Sequence, residues 1–377
     1  MSMMLRRATA RRSGQVFAVG QTLKAGVFNL IVYASHNGAN WRVLFHDTVN
    51  AIPDNLNGAA GFPSLARADK TLVIAGKVKP STTPTASGDT FYRPVSTSVD
   101  GGLTWSVNYA PIVGGLPAPP GSISVSLLSG GPGGFIVGTD KNSSAAGAAA
   151  LIAYSEDGVT WGSAPQDDPF ESGTRSILQV GHSAFADGKF VCGIRPGVVG
   201  SGPTLRSQRA FTSLGGSNFT VSLTATSDNY VLQTIAGCSG KGFIGAATAP
   251  SPNGATHARI FYSGDGSSWT DYGILNTGLS GSLTFLAVGG AGVFLLVAMV
   301  GTNATIFRSA DGGASWAQVS SKSGFNPTGL AFGGNKRFYA WSAGEVWSSR
   351  DKGVTWNSGT FEGAGGDYAL NALLGIA

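Results

Sequence analysis

An all-β ring of seven blades, each a four-stranded antiparallel sheet, is the fold class the sequence predicts, and three observations predict it. A short turn pattern recurs seven times along the chain. Each recurrence sits among the same short apolar runs, enough for four strands per unit. No stretch carries the 3.6-residue periodicity of an amphipathic helix. Four antiparallel strands repeated seven times form the pattern of a seven-bladed β-propeller.

The turns are "SHNGANW" (35–41), "SVDGGLTW" (98–105), "SEDGVTW" (155–161), "TSLGGSNF" (212–219), "SGDGSSW" (263–269), "SADGGASW" (309–316) and "SRDKGVTW" (349–356). Their closing aromatics are Trp41, Trp105, Trp161, Phe219, Trp269, Trp316 and Trp356. They stand 64, 56, 58, 50, 47 and 40 residues apart, the range of one supersecondary unit per repeat. Six of the eight tryptophans are used in this way, which makes the pattern a framework of the fold. Upstream of each turn comes a glycine/aromatic run such as "GQVFAVG", "GGFIVG" or "GVFLLVA". A second run, such as "LIVYAS", "LIAYS" or "TIFRS", leads into the turn. An earlier apolar stretch, as in "SLTFLAV" or "SILQV", and a strand after the aromatic complete the four. Glycine at 57 residues, and only four glutamates among 20 acidic side chains, agree with strands and tight turns.

Hairpin chemistry explains the residue types. A tight turn leaves N–H groups without a ladder partner, and an Asp carboxylate accepts several at once. Glycine supplies positive φ, and the aromatic covers the turn. On this reading Ser35, Asn37, Ser98, Asp100, Ser155 and Asp157 are structural, as are Ser263, Asp265, Ser309, Asp311, Ser349 and Asp351. Asn37 fits, because an amide caps a turn but is no general acid. A calcium loop does not fit, because the turns offer one carboxylate each at most, with Glu156 beside Asp157 the single addition, where a hard cation needs several. The outline S-x-D-x-G-x-T-W resembles the Asp-box, or bacterial neuraminidase repeat, of sialidases, sortilin-type receptors, photosystem-assembly factors and many phage virion proteins. "SVDGGLTW", "SADGGASW" and "SRDKGVTW" match it closely, three others are one residue shorter, and "TSLGGSNF" lacks both the acid and the Trp. The resemblance covers residues 15–377. It implies the propeller fold and turns that join the third and fourth strands of each blade, on the side away from a substrate. It implies no single activity.

The chain divides into a basic arm, 1–14, and a single propeller, 15–377. Arg6, Arg7, Arg11 and Arg12 supply four of the five net charges, and the rest carries 21 basic against 20 acidic side chains. A nucleic-acid groove on the ring is therefore not expected. The arm is either a solvated end or a docking segment for an acidic partner. Ring closure is expected from the other end. Trp316 is followed at 329–334 by "GLAFGG", the first strand of blade seven, and Trp356 at the same distance by "ALNALLGIA". Residues 368–377 should close the ring against 15–20. The alternative, "MLRRATARR" in that place, would bury arginines in an inner strand. Cys192 and Cys238 lie in strand-like runs and read as buried free thiols, with a bridge between them left open. No run reaches the ~18 apolar residues of a membrane span, and no signal-peptide core of about 7–15 apolar residues precedes Ser13.

Binding, if present, is expected at the end of the ring opposite the boxes. The second-to-third loops are long in blades two to five: 77–94, 139–150, 195–208 and 247–258. Long loops on one side either mark a binding face or reflect drift. Their candidate side chains are Lys77, Tyr92, Arg93, Lys141, Arg195, Arg206 and His257, suited to sugars, carboxylates or a protein. Sialidase chemistry is not expected. The family's Arg-Ile-Pro motif has no counterpart before Ser35, and among Glu156, Glu171, Glu345 and Glu362 no pair of carboxyl groups can be placed across one bond. No catalytic residue, metal site or cofactor is assigned, since the four histidines and two cysteines lie far apart. The expected function is a non-catalytic structural or binding propeller. Low charge, Gly/Ala/Ser/Thr richness and the missing signal resemble phage virion proteins, with other virion proteins as partners, reached in part through the arm, and a surface glycan as a candidate ligand. The alternatives are a sialidase-like glycoside hydrolase and a secreted Asp-box assembly or receptor protein.

Overall fold

Seven antiparallel sheets follow one another along the chain. The structure is a computed structural model that describes residues 15–24, 27–46, 64–75, 90–113, 125–139, 151–164, 177–197, 208–214, 216, 219–225, 231–250, 256–279, 283–342, 345–362 and 370–376. Blade two is typical: Ser64–Ala68, Thr71–Ala75, Thr90–Ser98 and Ser106–Val113 pair in chain order from the inside outwards. Blades three to seven repeat this order, and their innermost strands touch their neighbours around the ring. The fold expected from the repeat is the one found.

Burial follows position within a blade. In blade six the second strand, Val293–Val300, is buried along nearly all its length, because it is flanked by strands in its own sheet and by a blade on each face. The outer strand Ala317–Ser323 is mostly exposed and carries Gln318, Ser320, Ser321 and Lys322. The core is therefore a set of seams between blades. One unites Ala66, Val73 and Val95 of blade two with Phe135, Val137 and Trp161 of blade three. Near the centre the strands converge closely enough to exclude side chains: a Cβ on Gly289 of blade six would lie 2.3 Å from the Gly237 carbonyl oxygen of blade five.

The two ends of the chain meet in blade one. Leu370–Ile376 forms its innermost strand and pairs antiparallel with Val16–Lys24, with Ala18 opposite Ile376 and Thr22 opposite Leu370. Val27–Ser35 and Asn40–His46 complete the blade. Closure by the C-terminal strand is thus as expected, and the arm is not the closing strand. A second attachment was not foreseen. Thr360–Phe361 runs parallel to the outer strand of the same blade, with Thr360 N donating to Ala39 O at 2.7 Å and Glu362 N to Trp41 O at 2.7 Å. Phe361 packs against Tyr33 and Trp41 at centroid distances of 4.7 and 5.7 Å. Cys192 and Cys238 are free, buried thiols whose pKa burial pushes up.

Candidate functional site

The boxes have a common geometry. Asp100 Oδ1 accepts from Leu103 N, Thr104 N and Ser98 Oγ at 2.9, 3.0 and 2.8 Å, while Oδ2 accepts from Thr104 Oγ1 at 2.6 Å. Ser98 Oγ in turn accepts from Gly102 N at 2.7 Å, and Trp105 Nε1 donates to Gly102 O. Asp311 and Asp351 repeat the pattern with Ser309 and Ser315, and with Ser349 and Thr355, each accepting one backbone N–H and two hydroxyls. In the shorter boxes Asp157 and Asp265 each accept two backbone N–H groups and a serine hydroxyl. Asn37 does the same with its amide oxygen.

These bonds hold the box carboxylates as anions. Hydrogen bonds from Ser315 bring Asp311 down to about 2. At Asp100, Asp157 and Asp351 burial pushes the other way but is outweighed by the same kind of donors, and Asp265 is lowered chiefly by Ser268 N and Ser267 N. A carboxylate depressed in the folded chain contributes stability above its unfolded value, about 3.9, and loses it as pH falls through the folded one. Thermal unfolding temperature is therefore expected to hold from pH 7 to 5 as far as these groups decide it, and to drop between roughly pH 4 and 2. Asp311→Asn, which keeps the acceptor oxygen, should flatten that drop; an unchanged slope would count against the assignment.

Each box is also part of a seam. Gly102 has a φ of +87°, and a Cβ there would lie 2.8 Å from Leu44 of blade one. The matching glycine of every box faces the preceding blade in this way, ending with Gly38 against Tyr339 of blade seven. The first hairpin of a blade reaches the following box as well: Lys189 Nζ donates to Asp265 O at 2.6 Å, Lys241 Nζ to Ala310 O at 3.2 Å and Asn335 Nδ2 to His36 O at 3.2 Å.

The fourth box departs from this scheme. Leu214 stands in the Asp position and is 74% exposed, while Phe219 is fully buried as the aromatic cover. Thr212, in the position of the box serine, has its hydroxyl buried with no hydrogen-bond partner among the described residues. Leu214→Asp should supply the missing acceptor and stabilise the chain by about 1 kcal/mol, read as a rise in melting temperature of about 2 °C. A fall in melting temperature would show that the turn has settled into a form that needs no carboxylate.

At the opposite end the structure alters the candidate face. Tyr92 and Arg93 lie within the paired strand Thr90–Ser98, Arg195 within Lys189–Gly197 and His257 within Thr256–Ser263, not in loops. Pairing continues past Pro94, opposite Tyr109, and past Pro196, opposite Leu178. These four therefore mark strand ends in blades two, four and five. His257 Nδ1 is buried without a hydrogen-bond partner among the described residues. Lys77, Lys141 and Arg206, and the arm residues Arg6, Arg7, Arg11 and Arg12, lie outside the described residues.

Among the described residues, two cavities at the box end bear on the site. One, of about 470 Å³, is the mouth of the central channel, lined by Arg67, Asp69, Ser129, Ser183, Phe185 and Phe332 among others. Arg67 is committed there: Nε donates to Asp69 O at 2.9 Å, Nη1 to Gln15 O at 2.7 Å, and the guanidinium lies 5.3 Å from the Phe17 ring centroid. The other, of about 450 Å³, lies beside the first box, among Gln15, His36, Asn37, Asn40 and Arg42. Among the described residues no group of His, Cys, Asp and Glu is arranged to hold a metal ion.

Fold and seams together define a seven-bladed β-propeller. No family model and no curated protein matches the chain. Solved structures do. A protein from Lactobacillus plantarum is similar over 96% of this chain and 98% of its own, at 9% identity and a TM-score of 0.60. A Bacteroides fragilis protein proposed to be a 6-phosphogluconolactonase covers 98% of this chain and 99% of its own, at 11% identity and a TM-score of 0.54. A Trypanosoma rangeli sialidase matches 77% of this chain with 46% of its own, at 14% identity and a TM-score of 0.39. For the first two, at these identities, the likeness is one of fold.

Proposed function

We propose that this chain is a non-catalytic structural or binding propeller of the Asp-box type, a component of a bacteriophage virion in its tail or a capsid appendage. Its partners are other virion proteins, and its ligand on the end opposite the boxes is a host-surface glycan. The observation that carries the non-catalytic reading is the commitment of the carboxylates. Asp100, Asp157, Asp265, Asp311 and Asp351 are engaged inside their own hairpins with lowered pKa values, which suits caps and not proton donors. Glu156 lies within a box, and Glu362 Oε2 accepts from Val43 N at 3.1 Å in the closing clip. Glycoside hydrolysis calls for two free carboxyl groups flanking one bond. The low charge and the Gly-rich composition support the virion assignment.

Incubation with a fluorogenic sialoside is expected to release no fluorophore above the rate without protein; turnover would replace this reading with the hydrolase. On a glycan array, binding without turnover supports a receptor-binding appendage. Antibodies against the chain should label purified particles, and unlabelled particles would remove the virion assignment.

A further inference from the structure

Blade seven carries unbalanced positive charge at its box end. Lys336 and Arg337 stand in its first hairpin and Arg350 and Lys352 in its box, and the only acid in these two turns is Asp351. The Asp351 carboxylate is engaged within its own turn, by Ser349 Oγ, Thr355 N and Thr355 Oγ1. Among the described residues none of the four cations makes a salt bridge.

Two of these cations are held face to face. Phe338 pairs with Ser349 at the end of the ladder, so the next residues, Arg337 and Arg350, stand opposite each other across the two strands. Opposed side chains share a face of the sheet with Cβ atoms about 5 Å apart, where like charges destabilise. Tyr339, two residues on, lies on the same face as Arg337, and its hydroxyl would meet a Cβ on Gly38 of blade one at 2.6 Å. Both arginines therefore stand over the seam between blades seven and one. Burial raises the pKa of Tyr339, and both arginine charges pull it the other way. Burial, and then the Arg350 charge, lower that of Arg337. The other six blades hold at most one basic side chain at this place, as in Gln15 with His36 and Lys189 with Leu214. Blade five ends the same ladder with Gly242 and Gly264, so the fold itself asks for no charge here. A third guanidinium, that of Arg67, stands at the inner end of the same hairpin, with Nη1 3.3 Å from where a Gly334 Cβ would be, but it is bonded to two carbonyl oxygens.

We infer that Arg337 and Arg350 form a binding site for a phosphoryl dianion, free or as a monoester, at the box end of the seam between blades seven and one. One dianion neutralises both guanidiniums and has oxygens enough for both planar forks, whereas a carboxylate brings a single charge. Lys336 and Lys352, both exposed, add to the attraction. The site lies at the end away from the proposed glycan face, and the inference stands independently of the virion assignment.

Thermal unfolding of the full chain tests it, at roughly pH 8, where phosphate carries close to two charges. Inorganic phosphate, against chloride of equal ionic strength, should raise the melting temperature of the native chain by about 2 °C more than that of the variant with Arg337→Gln and Arg350→Gln. The variant keeps any general effect of phosphate as a salt. In chloride the single change Arg350→Gln should melt no lower than the native chain, because it removes a repulsion. Equal phosphate responses, a response to acetate as large as that to phosphate, or a loss of stability from Arg350→Gln in chloride would overturn the inference. Calorimetric titration supplies the affinities, and inorganic phosphate and glycerol 3-phosphate should each bind about tenfold more weakly to the double variant. Tighter binding of the free anion would assign the site to inorganic phosphate, and tighter binding of glycerol 3-phosphate to a monoester. Binding of neither to the native chain would overturn the site.

Discussion

A chain ending at residue 366 is expected to lose cooperative folding. It would lack the innermost strand of blade one, Leu370–Ile376, and with it the pairing to Val16–Lys24. The loss goes beyond hydrogen bonds. Ile376 is buried in the seam that also holds Val16, Ala18, Tyr33, Trp41 and, from blade seven, Tyr339 and Val346. Without the strand, blades one and seven would each face water across an open gap, and the second strand would become an edge. Against a typical total stability of ~5–15 kcal/mol, the loss of one buried strand and its seam is decisive. Circular dichroism and thermal unfolding of the shortened chain provide the measurement. A cooperative transition within 5 °C of the full chain would mean that the clip at Thr360–Phe361 closes the ring by itself.

Gly289→Ala should have the second largest effect, about 3 kcal/mol of destabilisation. The added methyl would meet the Gly237 carbonyl oxygen at 2.3 Å and Cys238 Cβ at 2.7 Å. Neither can move without shifting the inner strand of blade five, which is buried between its neighbours. Gly162→Ala is the control, because a Cβ there has nothing within 4 Å and the backbone is not left-handed. Its effect is expected within about 0.5 kcal/mol. Urea unfolding of both variants separates steric exclusion from a general intolerance of alanine; equal losses would argue for the latter.

The hairpins were legible in the sequence because everything that makes them lies within eight residues. Ser98, Asp100, Gly102 and Trp105 bond and cover one another, so their spacing is their structure. Closure was legible too, since the distance from Trp356 to the last apolar run repeats the distance from Trp316 to Gly329. The long loops were read less well. Pro94, Pro196 and Pro250 look like loop residues, yet each sits in a pair whose extent is set by the opposite strand and not by the proline's own neighbours. Hence Tyr92, Arg93, Arg195 and His257 moved from loops to strand ends. The parallel clip of Thr360–Phe361 was invisible because it depends on a strand over three hundred residues away. The degenerate box was recognised as degenerate, but the exposure of Leu214 and the unpaired Thr212 hydroxyl required the packing of its neighbours.

The seams give the ring a direction. Each box glycine leans on the blade before it, and the side chains of Lys189, Lys241 and Asn335 reach forward to the box after theirs. A segment cut at blade boundaries would therefore leave half a joint at either end. The piece that carries a complete joint begins with the first hairpin of one blade and finishes with the box of the next. Duplication or deletion of such offset pieces would let a ring of this kind change its blade number while every junction stays intact, whereas exchange of neat, sheet-by-sheet units would break two junctions each time.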